Sequence, residues 1–286
     1  MIQRLMHMRY LIFTALLLGV LATSCKKDAP APEQEGDDTT EVTTSNKHMV
    51  LIEPTVSMNC GACPLAHHEI EVLEEENDNV THMSHYIYGP LYHPYTSYLM
   101  DKINKTVYTP LGHVDRRHED GSVVYYPVNM FKGILGTEVE ESTGIDLSVK
   151  RVDAESSIEL EIEVATESVS LKEDMMITVV LIEKEVTGMG NGYDQRNYGN
   201  NDPEHPYYER GDWIEGFVHT HVIRDVFTAF EGDALNLSSG KDSWTYTIQH
   251  SALEKDASAY AIIAFVNRPA DTIQPILNTV QAELAE

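Results

Sequence analysis

Cys60 and Cys63 are the residues of this chain whose type and spacing point most directly to covalent chemistry. They stand three apart in Ser57-Met58-Asn59-Cys60-Gly61-Ala62-Cys63-Pro64. Two cysteines at that spacing can close a small disulfide ring, or bind a soft metal as thiolates. If they open a helix, its unpaired N–H groups and dipole favour a thiolate at Cys60, a ready nucleophile and a good leaving group. Cys63, one turn in, would resolve the mixed disulfide, and Pro64 is tolerated because the first turn has no intrahelical partner for a missing N–H. Histidines crowd the same part of the sequence, among them His67, His68, His82, His85, His93, His113 and His118. Cys60, Cys63 and His67 fall near one side of such a helix and form an alternative metal set. Exchange-active dithiol, structural disulfide and metal site all remain open at this point.

The surrounding elements must hold this pair in place. His48–Thr55 (HMVLIEPT) reads as a buried strand, and from Leu65 the apolar Leu65, Ile70 and Leu73 recur at helical spacing. A second strand follows over Val80–Tyr88, then a short helix over Thr96–Asn104, and then Thr109-Pro110 leading into the strand LGHVDRR. A hairpin at Asp120-Gly121 and a last helix over Phe131–Val139 complete the module, residues 48–143. Strand, CxxC, helix, strand, helix, Thr-Pro, strand and hairpin is the order of a thioredoxin-like α/β domain. In that fold the Thr109-Pro110 bond would be cis, with Pro110 facing the dithiol. On a continuous strand His82 and His85 would point to opposite faces.

Residues 144–286 read differently. Seven segments alternate with period two (IDLSVKRV, SIELEIEV, MITVVLIEKEV, FVHTHVIRDVF, SWTYTIQH, AYAIIAFVN and ILNTVQAEL), with no helical pattern between them. An antiparallel β-sandwich of immunoglobulin-like type is expected, with Ile158, Leu160, Ile162 and Val164 inward and Glu159, Glu161 and Glu163 outward. Gly188–Asp212 interrupts it as a long loop rich in Gly, Asn, Asp and Tyr. We expect a solvated insertion. Its functional alternatives are a contact surface made by Tyr193, Tyr198, Tyr207, Tyr208 and Trp213, or a Ca²⁺ site at Asp194, Asp202 and Glu204. His219 and His221 alternate on a strand, so both would share a face, in a structural role or as metal ligands.

The amino terminus reads as an address. Arg4 and Arg9 precede the apolar run Leu11–Ala22, about the length of a signal-peptide core and short for a membrane span. Ala22-Thr23-Ser24-Cys25 then resembles a bacterial lipobox, so residues 1–24 are expected to be removed and Cys25 acylated, for example by palmitate. Residues 25–47, rich in Pro, Thr and acids, read as a flexible tether. With Cys25 so used, the three cysteines of the chain leave only the Cys60/Cys63 pair. Lys+Arg 20 against Asp+Glu 46 gives a net charge of −26. Such a surface repels phosphate backbones, so no nucleic-acid partner is expected.

The segments VLIEPTVSMNCGACPLAHHEI, VYTPLGHVDRR, FVHTHVIRDVF and YAIIAFVNRP resemble the outer-membrane protein family of twenty-eight kilodaltons. The resemblance implies a Gram-negative surface lipoprotein with a thioredoxin-like half and a β-sandwich half. Two departures bear on enzymatic work. Asn59 stands where many thioredoxin-like domains place an aromatic residue, and Pro54 stands where many place a buried acid. Glu53, one position earlier, is turned to the other face by strand alternation. The expected protein is therefore an α+β lipoprotein of the outer membrane, needing no cofactor, that exchanges disulfides with an envelope protein. The alternative is a non-enzymatic adhesin or binding subunit whose disulfide is structural and whose partner is a surface ligand.

Overall fold

The computed structural model describes residues 39–43, 47–103, 108–119, 122–138, 143–171, 174–190, 192–268 and 275–285. Cys25, the leader and residues 25–38 lie outside the described residues, as does the turn Asp120-Gly121. The fold is mixed α+β and mostly sheet. Among the described residues no helix is long and apolar enough to cross a membrane.

The first half is built on the strand Val50–Val56, buried at all seven positions. It pairs in parallel with Val80–His82 and His85–Tyr86. On its other edge Leu111–Val114 runs antiparallel and carries Tyr126–Pro127 beyond it. Helix α1 (Cys63–Glu76) and helix α3 (Phe131–Glu138) cover one face, where Val50 and Ile52 meet Ile70, Leu73, Phe131 and Leu135. The opposite face carries Leu51, beside Met83 and with Tyr95 of helix α2 (Pro94–Ile103). The expected strand over 80–88 is broken because Met83 and Ser84 step out of register. Met83 N–H donates to Ile52 (2.9 Å), while Ser84 N–H donates to His221 in the second half (2.9 Å).

The second half stacks two antiparallel sheets, an arrangement consistent with a β-sandwich. One has the order Thr39–Thr43, Asp146–Asp153, Ser157–Ala165, Lys241–Gln249; the other His219–Val226, Met175–Val186, Tyr260–Asn267, Ile276–Glu283. Their facing sides share one core, including Leu147, Leu160, Ile177, Ile262 and Val280. All seven strands expected here form, and Ser157–Ala165 buries its Ile, Leu and Val positions while exposing Glu159 and Glu161. Thr39–Thr43 departs from the tether reading: it pairs antiparallel with Asp146–Asp153. The run Thr-Thr-Glu-Val-Thr is rich in β-branched residues, which favour extended backbone, and an edge strand was open to receive it.

Tyr260–Asn267 is buried at all eight positions and shows no alternation. One of its faces lines the core between the two sheets, through Ile262, Ala264 and Val266. The other, through Ala261, Ile263 and Phe265, packs with Leu51, Met83 and Tyr95 of the first half. Residues 38–286 accordingly form one unit.

A buried ion pair sits at this junction. Arg116 grips Glu53 with two bonds, Nε to Oε2 at 2.6 Å and Nη2 to Oε1 at 2.7 Å, and donates to the Tyr95 hydroxyl at 2.9 Å. Its guanidinium lies over the Phe265 ring at 4.7 Å. Burial alone would raise the Glu53 carboxyl, but the Arg116 charge and the hydrogen bonds from His85 and Arg116 hold it well below the usual carboxylate range.

Candidate functional site

The strand Val50–Val56 delivers the chain to Ser57, where a tight turn forms: Cys60 N–H donates to Ser57 (3.0 Å) and Cys63 N–H to Cys60 (3.1 Å). Cys60 and Cys63 are joined in a disulfide with Cα atoms 5.4 Å apart. Helix α1 begins at Cys63, with Pro64 in its first turn, so Cys60 precedes the helix rather than opening it. Cys63 is fully buried and Cys60 partly so. The Thr109-Pro110 bond is cis. The segment around it hangs on the same end of the sheet, where Thr55 Oγ1 donates to Leu111 O at 2.8 Å and pairs with Leu111 in the ladder.

The loop after Val186 overturns the expectation of a solvated insertion, because it folds onto the CxxC turn. Arg196 N–H donates to Met58 O and Tyr198 N–H to Gly61 O, each at 2.8 Å. Gln195 is fully buried, and its side-chain amide faces Cys60 O (2.8 Å), Met58 O (3.1 Å) and Ser57 O (3.2 Å). The Tyr198 ring lies on Gly61 so closely that a Cβ there would fall 2.3 Å from its Cδ1. Gly61, the first of the two residues between the cysteines, thus stands where another part of the chain occupies the space a side chain would take. Gln195 was not singled out from the sequence: a glutamine inside a polar Asn/Gly/Asp stretch carries no local signal of burial.

The aromatic residues of this loop do different things. Tyr198, Tyr208 and Trp213 are exposed, whereas Tyr193 and Tyr207 are half-buried. Tyr193 packs at the cluster holding Cys60 and Cys63, and Tyr207 against Phe217. Two of the acids named as an alternative Ca²⁺ set serve the loop's own turns: Asp194 accepts from Gly190 N–H and Asp202 from Glu204 N–H.

The alternative metal set is not assembled either. The two sulfurs are bonded to each other, and His67, one turn after Cys63, is engaged elsewhere. Its Nε2 lies 3.4 Å from the Tyr86 hydroxyl and its Nδ1 3.5 Å from Thr220 Oγ1. Tyr86 in turn reaches His219 Nδ1 at 2.9 Å, and His219 Nε2 donates to Tyr193 O at 2.8 Å. With that nitrogen carrying the proton, Nδ1 accepts from the Tyr86 hydroxyl. Burial, with His219 and His82 nearby, pushes His67 well below its ordinary value, and burial pushes Tyr86 well above its own. Both rings stay neutral and tie the start of α1 to the second half.

His82 and His85 do diverge, the first toward Glu74 and the second toward Glu53. His219 and His221 do not act as a pair. His221 takes a left-handed backbone (φ 49°), and its Nδ1 donates to His82 O at 2.9 Å, while His219 turns to Tyr86.

The family model of outer membrane protein Omp28 matches residues 100–286, a span that begins after the cysteine pair. The solved structure of HBP35 of Porphyromonas gingivalis is similar with a TM-score of 0.60 at 18% identity, covering 83% of this chain and 75% of that one. At that identity the likeness concerns the fold. A domain of the outer membrane lipoprotein Omp28 from Porphyromonas gingivalis gives a TM-score of 0.26 at 17% identity, over 45% of this chain and 76% of that one. No curated protein matches the chain in sequence.

Proposed function

Because the chain belongs to the Omp28 family of outer membrane proteins, we propose that it is a lipid-anchored envelope protein that exchanges disulfides with partner proteins through Cys60 and Cys63. In this reading Cys25 carries the acyl anchor. Residues 48–143 form a thioredoxin-like domain with Pro110 beside the dithiol, and residues 144–286 form a β-sandwich domain. One observation carries it: the two sulfurs are joined, with Cys60 partly exposed and Cys63 sealed beneath it. A partner thiolate would attack Cys60 Sγ, the S–S bond would break, and Cys63 would leave as a thiolate and take up a proton. A second thiol of the partner then attacks the mixed disulfide. The partner leaves oxidised, and two electrons rest on the cysteine pair.

The docking of Gln195 and Tyr198 on the turn favours a second reading, in which the disulfide staples the module and the protein binds a surface ligand without catalysis. Titration against redox buffers separates the two. Structural disulfides lie below about −300 mV, whereas exchange-active ones are more oxidising. A potential above that line, with exchange abolished in Cys60→Ser, supports the first reading. A lower potential refutes it.

A further inference from the structure

Glu74, His82 and His221 bring one ligand atom each to within 4.8 Å of one another, away from the cysteine pair. Three separate elements supply them. Glu74 lies near the end of α1, His82 ends the strand Val80–His82, and His221 lies on His219–Val226 of the second half. The two imidazole rings stack with centroids 4.0 Å apart and planes 23° from parallel. Both turn Nδ1 toward the same carboxylate oxygen, Glu74 Oε1, at 2.7 Å from His82 and 3.7 Å from His221.

We propose that this cluster is a binding site for a borderline divalent transition metal such as Zn²⁺, held by Glu74, His82 and His221. Two imidazoles and one carboxylate are a donor set zinc accepts, with bonds of about 2.0–2.2 Å. Tetrahedral bonds of about that length set donors roughly 3.3 Å apart, a value the two measured separations bracket. Little movement is needed: each ring carries its proton on Nε2 rather than Nδ1 when the metal binds, and His221 Nδ1 exchanges its hydrogen bond to His82 O for the metal. The local backbone already holds His221 there. It adopts a left-handed conformation that a non-glycine residue takes at a cost, and its carbonyl accepts Ser84 N–H from the first half at 2.9 Å. The second nitrogen of His82 is also engaged, 3.1 Å from Thr220 Oγ1, as a metal-bound imidazole requires for its orientation. The cluster lines an open cleft together with Glu71 and Lys184, so a fourth position remains for water or a ligand. Glu71 lies one turn before Glu74 on the same helix face and is a further oxygen donor within the cleft. A metal here would join the two halves by coordination.

The test uses the chain with its disulfide kept oxidised, so that Cys60 and Cys63 cannot bind metal. After chelator treatment, ZnCl₂ is titrated by calorimetry and Co²⁺ by its visible absorption. One Zn²⁺ per chain, a Tm that rises with zinc concentration, and the absorption of low-coordinate cobalt are expected. Loss of an outer-shell partner alone typically weakens a metal about 10–100-fold, so His221→Ala and Glu74→Gln should each lose at least about 100-fold. His68→Ala, on the same helix but outside the cluster, should bind as the parent does. Glu74→Gln preserves shape and serves if His221→Ala fails to fold. The proposal is overturned if the parent chain binds no zinc, or if zinc binding and the cobalt spectrum survive either substitution.

Discussion

Replacing Gln195 by leucine tests whether the second half holds the cysteine turn closed. The Gln195 amide nitrogen carries two hydrogens and has Cys60 O, Met58 O, Ser57 O and Arg196 O within 3.2 Å, with the side chain itself fully buried. Leucine fills a similar volume and donates nothing. The three carbonyls of the cysteine turn would not be orphaned, because each keeps a backbone donor: Cys63 N–H on Cys60 O, Arg196 N–H on Met58 O and Cys60 N–H on Ser57 O. The loss is therefore the net worth of two hydrogen bonds, at about 1 kcal/mol each, or about 2 kcal/mol in total. Urea unfolding with the disulfide intact should register that amount. If the loop must lift before a small thiol can reach Cys60, about 2 kcal/mol less to lift it speeds reduction by dithiothreitol up to roughly 30-fold. Gln195→Glu should be at least as damaging, since a carboxylate would face three carbonyls. A Gln195→Leu protein whose stability stays within about 0.5 kcal/mol of the parent, and whose reduction rate is unchanged, would refute the clamp.

Gly61→Ala should destabilise the protein by about 1–3 kcal/mol, as overpacking does, because its Cβ meets the base of the Tyr198 ring. Tyr198→Ala in the same chain should recover most of that loss, and a double-mutant cycle by urea unfolding measures the coupling. His113, fully buried with Nδ1 donating to Val124 O, is pushed by burial from its ordinary value of 6.5 down to about 4. The neutral ring is the folded form, so the unfolded chain takes up the proton first as pH falls. Its contribution is intact above pH 6.5 and is lost as pH drops toward about 4, at a cost of about 2 kcal/mol by pH 5. His113→Asn should flatten the stability-against-pH curve by that amount between pH 7 and 5, and an unchanged slope would contradict the assignment.

The strands of the second half were legible because each buries one face toward the opposite sheet, as the alternation of Ile158, Leu160, Ile162 and Val164 with glutamates shows. The closeness of the two cysteines was legible from their spacing, and the cis Thr109-Pro110 bond from the order of the elements around it, since an X-Pro bond by itself is cis in only about 5–6% of cases. What escaped the sequence is long-range. Gln195 lies 135 residues from Cys60, and His221 lies 139 from His82. Such partners have no periodicity between them. The pairing of His219 with His221 was misjudged for a local reason as well, since an even strand was assumed where the left-handed His221 breaks it.

The fully buried strands Val50–Val56 and Tyr260–Asn267 carry the remaining lesson about the two halves. A strand with water on one side alternates, and these do not, because each is covered on both faces. Val180, Ile182, Ala261, Ile263 and Phe265 of the second half belong to a cluster completed by Leu51, Met83 and Tyr95 of the first. Exposing the four larger of these second-half side chains would cost about 1.5–3 kcal/mol each, together roughly 6–12 kcal/mol. That rivals the whole stability of an ordinary domain, about 5–15 kcal/mol. Arg116 adds a contact across the same junction, its guanidinium lying over the ring of Phe265, at about 0.5–2 kcal/mol. Removing the first half should therefore cost the second a large part of its stability, which urea unfolding of residues 144–286 would register. The cysteine turn, the loop that covers it and the sheets beneath therefore unfold as one system, and any change at the disulfide is made within a structure to which both halves contribute.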